Sequence, residues 1–213
     1  VLYRSFTKPF DLASPPLLRA AVVALSPQEH IFLLDMHHII SDGVTQGILT
    51  SEFMSLYSDR ELPALRLRYR DYAVWQNSSV YRKSLETQRQ FWLEQFAGEI
   101  PILNLSLDYP RLAVRGFSGG RVDFSIEGEK ANKLKQLARV NNTTVFMVLL
   151  AIYNVFLSQL TGSEDIVVGT PVAGRPHADL EGVVGMFVNT LALRHFPEHE
   201  LSFEGFLKRV HAR

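Results

Sequence analysis

The chain has 213 residues, 46% hydrophobic and 21% charged, proportions that suit a globular protein with a sizeable core. Its 22 Lys+Arg balance its 22 Asp+Glu, which excludes a general attraction to nucleic acid or anionic membrane and leaves only local patches. It contains no cysteine, so disulfides, zinc–thiolate sites and cysteine nucleophiles are excluded, as fits a reducing cytoplasm. The opening VLYRSFTKPFDLASPPLLRA carries no basic-then-apolar signal segment and begins abruptly, as though cut from a longer chain. The longest apolar stretch, TVFMVLLAIYNVFL, is shorter than the ~20 residues needed to cross a bilayer. The expectation is a cytoplasmic domain with neither membrane nor nucleic acid among its partners.

Two short apolar runs, 17–25 and 30–38, are separated by the turn signal SPQE and read as two buried strands of a hairpin. The apolar residues of 45–59 fall near helical spacing, so a helix follows. In LRYRDYAVWQ, Tyr69, Tyr72 and Trp75 recur at helical spacing, a stripe more suited to packing than to ligand binding. LETQRQFWLEQFAG reads as another helix, stopped by Gly98. From Glu99 to Gly120 the composition turns to Pro, Gly, Asn and Arg, the signature of a linker, and GFSGGR within and after it reads as a flexible turn. RVDFSI reads as a strand, EKANKLKQLARV as an amphipathic helix, and NNTTVFMVLLAIYNVFLSQLTG as a buried helix, apolar nearly all round. DIVVGTPVAGRPH is a strand running into a Gly/Pro-rich loop, GMFVNTLALRHF a further strand, and SFEGFLKRVHAR a helix capped by Ser202. Strands and helices alternate throughout, which makes the class α/β or α+β.

The stretch DMHHIISDGVTQG, residues 35–47, sets two imidazoles side by side. If 31–38 is a strand, alternation puts His37 on the face of Asp35 and His38 on the opposite face, at the strand end where reactive groups are displayed. A neutral His38 there can accept a proton from an attacking nucleophile, while His37 supports the strand end as a buried hydrogen-bonding residue. Asp42, if buried, needs a cation or several amide donors. Gly43 permits a backbone conformation or a close approach that a side chain would block. Two plainer readings stand beside this one. The histidines are core packing, or His38 and Asp42 ligate a metal at i,i+4 on a helix, although neither HExxH nor a Cys/His cluster accompanies them. Arg175 in AGR is a fixed cation that a bidentate pair would tie to Asp42; otherwise it is a surface turn residue. The Gly-rich loop around it lacks GxxxxGK[ST] and GxGxxG, which weakens a phosphate-binding reading.

Together these stretches resemble a known family. His37-His38-Ile39-Ile40-Ser41-Asp42-Gly43 matches the HHxxxDG motif of the condensation domains of nonribosomal peptide synthetases. YRDYAVWQ (69–76) is similar to that family's YxDYAVW segment, and FDLASPPLLRA (10–20) to the stretch ahead of its histidines. IVVGTPVAGRPHADLEGVVGMFVNTLALR (166–194) resembles its long signature almost throughout, with Ala178 where proline is common. Because the wider chloramphenicol-acetyltransferase-like superfamily shares HHxxxDG, it is the three ordered motifs that carry the assignment.

The resemblance implies a chloramphenicol-acetyltransferase-like fold of two lobes in a V, incomplete at both ends, with residues 1–110 in the N-terminal lobe and 111–213 covering the crossover and the start of the C-terminal lobe. It implies amide formation between a carrier-bound acyl or peptidyl thioester and a carrier-bound aminoacyl amine. The partners would be upstream and downstream peptidyl carrier proteins and an adjacent adenylation domain. No cofactor is bound directly; phosphopantetheine arms arrive on the carriers. By the same resemblance, His38 orients the amine or takes its proton, and Gly43 N–H faces the developing oxyanion. His37, Asp42 and Arg175 support the site, Asp42 and Arg175 as an ion pair, and Asn189 lines a substrate pocket. An epimerization domain typically follows its motif with Ser-Trp, which GVTQG lacks, and a cyclization domain replaces the histidines with aspartate. A stand-alone acyltransferase and a non-catalytic docking platform share the fold; the platform would normally have lost His38 or Asp42.

Overall fold

The computed structural model describes residues 6–111, 113, 114, 116 and 119–213. Phe117 and Ser118, the centre of the expected turn in GFSGGR, lie outside the described residues. The elements are β1 (Leu18–Ser26), β2 (Glu29–Met36), α1 (Gly43–Tyr57), α2 (Tyr69–Gln76), α3 (Ser79–Ser84), α4 (Glu86–Gln95), α5 (Gly128–Val140), α6 (Val145–Thr161), β3 (Ile166–Val172), β4 (Asn189–His195) and α7 (Phe203–Ala212). Among the described residues no single helix is long and apolar enough to cross a membrane; only α5 and α6, bent by 104°, reach that measure as a pair.

Contacts divide the chain into two compact units: Val1–Gln88 with Pro171–Leu191 form the first, Arg89–Thr170 with Ala192–Arg213 the second. In the first, β1 and β2 form the expected hairpin, antiparallel and in register from Leu18 opposite Met36 to Ala24 opposite His30. Arg19 stands opposite Asp35 and pairs with it at 3.2 Å, so Asp35 is served by Arg19 and not by His37. Phe32 stacks on Phe53 of α1 with ring centroids 4.7 Å apart. The segment 171–191 belongs to this unit because Leu180, Val183 and Phe187 bury themselves against Tyr72, Tyr69 and Leu67.

In the second unit, α5, α6 and α7 meet around Ala138, Val148, Leu150, Ala151, Phe206, Leu207 and Val210. The start of α6 is capped by Thr144, whose hydroxyl accepts from Met147 N–H at 3.2 Å, and Gly162 ends it at φ 69°, a conformation that favours glycine. The helix is not buried all round: Phe156 is 52% exposed, and Phe146, Leu149, Ile152, Tyr153 and Leu160 are also exposed. The expected strand at 121–126 is not formed either. Its Val122 and Phe124 are exposed, and none of its residues joins a sheet ladder among the described residues. β4 begins only at Asn189, because Gly185 and Phe187 give their amides to side chains of the first unit's α1 start.

Arg194 holds residues 89–110 to the second unit. Its guanidinium grips Asp165 through Nε at 2.9 Å and Nη2 at 2.6 Å, and reaches the carbonyls of Gln95, the last residue of α4, and of Ala97 and Glu99 after it. The Gln95 carbonyl is one of the four that a helix leaves unsatisfied at its end, and a planar five-donor group can serve it together with the two loop carbonyls. Beside it, His195 is buried, its Nδ1 without a partner among the described residues. Burial, with the Arg213 charge adding, pushes its imidazole down from 6.5 to about 4. The unfolded chain therefore takes up the proton first, and stability is lost as pH falls from 6.5 towards about 4. Chemical denaturation of the full-length protein across that interval should show this loss, and His195→Phe should flatten it; equal slopes would acquit His195.

Candidate active site

β2 stops at Met36, so the two histidines leave the strand before alternation can sort them. His37 N–H still donates to Leu17 O at 3.1 Å, and His37 Nδ1 accepts from Ile39 N–H at 3.1 Å. The imidazole thus caps a single 3₁₀ turn, His38–Ile40, with its half-buried ring edge-on to Phe10. Since Nδ1 accepts, the neutral ring carries its proton on Nε2. His38 opens that turn, exposed, and its side chain makes no hydrogen bond among the described residues. The turn, not strand alternation, separates the two rings.

Asp42 caps α1, the 2% exposure of its side chain placing the carboxylate inside the protein. Its Oδ1 accepts from Thr45 N–H at 2.8 Å and its Oδ2 from Phe187 N–H at 3.0 Å. Arg175, with its side chain 5% exposed, places Nη2 at 3.3 and 3.4 Å from the two oxygens. This is one nitrogen spanning a carboxylate rather than a two-nitrogen fork. Nη1 is turned away to the carbonyls of Leu180 and Val183, at 2.5 and 2.6 Å. The short bonds to Asp42 are thus the amides; the guanidinium, beyond the ~2.7–2.9 Å of a tight charge-assisted bond, mainly neutralises the buried charge. Arg175 also lies over Phe187, its Cζ 4.0 Å from the ring centroid. Burial alone would push the Asp42 carboxyl up, but the Thr45 and Phe187 amides, the Thr45 side chain and the Arg175 charge together hold it below 3.8. The stability this contributes is present above 3.8 and lost as pH falls through the lower value of the folded state.

Several members of this arrangement escaped the sequence reading. Fully buried Thr45 donates its hydroxyl to Gly185 O at 2.8 Å and accepts from Gly185 N–H at 3.1 Å, joining α1 to the 171–191 segment. Its place three residues after Asp42 is the spacing of a helix cap and was the available signal. Tyr69 donates to Met186 O at 2.8 Å, a polar role that its apolar spacing concealed. Gly174 has φ 63°, and a Cβ there would stand 1.9 Å from Phe187 O; at Gly185 a Cβ would stand 2.1 Å from the Tyr69 ring. Gly43 is different. It adopts no left-handed conformation and a Cβ there would meet nothing within 4 Å, so the expected internal need for glycine is absent. It is the first residue of α1, exposed, with its N–H unpartnered among the described residues.

Asn189, exposed at the start of β4, accepts from Thr190 N–H and lines a cavity of about 690 Å³. Arg175 and Phe187 line the same cavity, but neither His38 nor Gly43 does. A metal at His38 and Asp42 finds no support: residues 38–42 are not an α-helix, and Asp42 is occupied by the donors above. Among the described residues no group of three metal-ligating side chains comes together.

The family model of the condensation domain matches residues 2–213. The chain belongs to the condensation-domain family. It is 53% identical over 206 residues to one of the plipastatin synthase subunits of Bacillus subtilis (strain 168), covering 97% of this chain and 6% of that protein. With gramicidin S synthase 2 of Brevibacillus brevis it shares 51% over 209 residues, 98% of this chain and 5% of that protein. Among solved structures, the complex of the X-domain and OxyB from teicoplanin biosynthesis superposes with a TM-score of 0.88 at 22% identity, over 99% of this chain and 49% of that one. The first condensation domain of the calcium-dependent antibiotic synthetase, in complex with a substrate analogue, gives 0.71 at 24%, over 99% and 47%. The fold is therefore the mixed helix-and-strand, chloramphenicol-acetyltransferase-like one. This condensation-domain chain spans about half the length of those solved chains and a small fraction of its curated relatives.

The three glycines make a stability test of this geometry. Gly174→Ala and Gly185→Ala should each cost about 1–3 kcal/mol or more through overlap, whereas Gly43→Ala should stay within about 0.5 kcal/mol. Denaturation of the full-length protein measures all three, and equal effects would contradict the packing described.

Proposed function

We propose that this condensation domain joins a carrier-bound aminoacyl amine to a carrier-bound acyl or peptidyl thioester within a nonribosomal peptide synthetase. The observation that carries the reading is the buried Asp42 clamp, which fixes α1 and the turn before it while leaving His38 exposed and Gly43 N–H free. The names of the relatives support it, being synthases for plipastatin and gramicidin S. Upstream and downstream peptidyl carrier proteins are the partners, with an adenylation domain adjacent in the parent protein. No cofactor is held by the domain itself; the phosphopantetheine arms belong to the carriers.

The amine nitrogen attacks the thioester carbonyl, a C–N bond forms as the C=O pair moves to oxygen, and collapse expels the thiolate. His38 orients the amine and takes the proton that its nitrogen must lose, which then passes to the departing sulfur. Gly43 N–H, at the positive end of α1, donates to the developing oxyanion. The open space beside Gly43 has its use here, since it admits a substrate where a side chain would stand. A neutral amine needs little activation towards a thioester, so holding the two arms together supplies much of the rate.

With both carriers loaded, His38→Ala in the full-length protein should lower amide formation by about 10²-fold or more, measured by mass spectrometry of the carriers. Near-normal turnover would remove His38 from the chemistry, and a product with an inverted α-carbon instead of a new amide would indicate epimerization. Asp42→Ala should lower both melting temperature and turnover, because the variant strands Arg175 and two amides. Lost turnover with unchanged melting would assign Asp42 to the reaction itself.

A further inference from the structure

Arg19 sits where a strand more often carries an apolar side chain. Burial along β1 alternates, and Arg19 falls on the half-buried face with Ala21 and Val23. Asp35, opposite it in the ladder, accepts from Nη1 at 3.2 Å. Two further bonds, neither longer than that one, leave the hairpin altogether: Nη1 donates to Phe6 O at 2.9 Å and Nη2 to Pro9 O at 3.1 Å. Arg19 thus grips the main chain ahead of β1 as well as the facing strand, which a planar fork of donors can do and a compact ammonium does poorly. The ion pair alone gives a weak reason for the arginine, since both side chains are more than a fifth exposed, at 27% and 22%.

The gripped segment ends on a ring that reaches the histidines. Arg19 Cζ stands 3.8 Å from the centroid of the half-buried Phe10 ring. Phe10 meets the His37 imidazole with centroids 6.2 Å apart and planes at 86°. His37 caps the turn only while its Nδ1 points at Ile39 N–H, which requires one orientation of the ring. Its Nε2 has no hydrogen-bond partner among the described residues, so packing must hold the rest of the ring, and Phe10 is its aromatic neighbour there. From this we propose that Arg19 and Phe10 are positioning residues for His38. Arg19 sets Phe10, Phe10 sets the His37 ring, and His37 caps the turn that displays His38. The Asp42 clamp fixes the far end of that turn through α1, and the 6–10 segment fixes the near end. That this positioning serves turnover rests on the function proposed above; that it orders the turn does not.

The test combines kinetics and hydrogen–deuterium exchange on the full-length protein with both carriers loaded. Arg19→Ala and Phe10→Leu should each lower kcat about tenfold or more, with KM for the carriers within about twofold, because a small misplacement of a reacting group costs rate rather than binding. Phe10→Tyr, which keeps the ring, should recover most of what leucine loses. Asp35→Asn, which removes only the ion pair, should stay within about twofold of the parent. Read by mass spectrometry, the amides of residues 38–41 should exchange about fivefold faster or more in Arg19→Ala and Phe10→Leu, while those of β2 keep their protection. Unchanged kcat in Phe10→Leu, an equal loss in Asp35→Asn, or faster exchange spread over the whole hairpin would overturn the proposal. Should Arg19→Ala fail to fold, the leucine and tyrosine variants of Phe10 decide it. If His38→Ala leaves turnover intact while the turn still loosens in the Phe10→Leu protein, the reaction assignment fails and the ordering of the turn stands.

Discussion

Asp42 is a carboxylate enclosed by protein, and an enclosed charge must be answered by donors or it destabilises the fold that encloses it. Its donors come from places far apart in the chain: Thr45 from the same helix end, Phe187 and Arg175 from a segment more than 130 residues later. The segment 171–191 is consequently bound to the first unit although its neighbours in sequence belong to the second. The start of α1, and with it the turn presenting His38, takes its position from this one buried anion.

The clamp also separates roles that adjacent residues would otherwise share. His37 is spent on closing a 3₁₀ turn, and its Nδ1 is engaged. His38, one residue later, has no such duty and faces outward. Gly43 follows the cap with an unpartnered N–H and empty space beside it, while Gly174 and Gly185 are glycines because backbone and ring crowd them. Glycine serves opposite purposes within one site, openness towards solvent in the first case and close internal approach in the others.

Arg175 does three things at once, and the geometry ranks them. Its shortest bonds go to the Leu180 and Val183 carbonyls, its charge neutralises Asp42, and its guanidinium carbon sits over the Phe187 ring. Lysine would replace only the charge. The same residue lines the cavity beside Asn189, so clamp and cavity share a wall.

Much of this was legible in the sequence. Period and punctuation placed the β1–β2 hairpin, α1, α4, α5, α6 and α7 within a few residues, since apolar spacing and Asn, Thr, Ser or Gly at the ends are local signals. The motif residues and the family were legible too, because their order and spacing survive in one dimension. Alternation misled at the histidines, where the strand ends at Met36, and at 121–126, whose apolar pattern has no ladder partner among the described residues. The roles of Thr45, Tyr69, Gly174 and Gly185 were hidden, since each depends on a contact more than ten residues away in the chain. The amino-acid order by itself determined which local elements form and which chemistry-bearing residues are present. Which donors meet Asp42, and that Gly43 is open while Gly174 is crowded, only the tertiary structure decided, because burial and long-range contact are properties of packing.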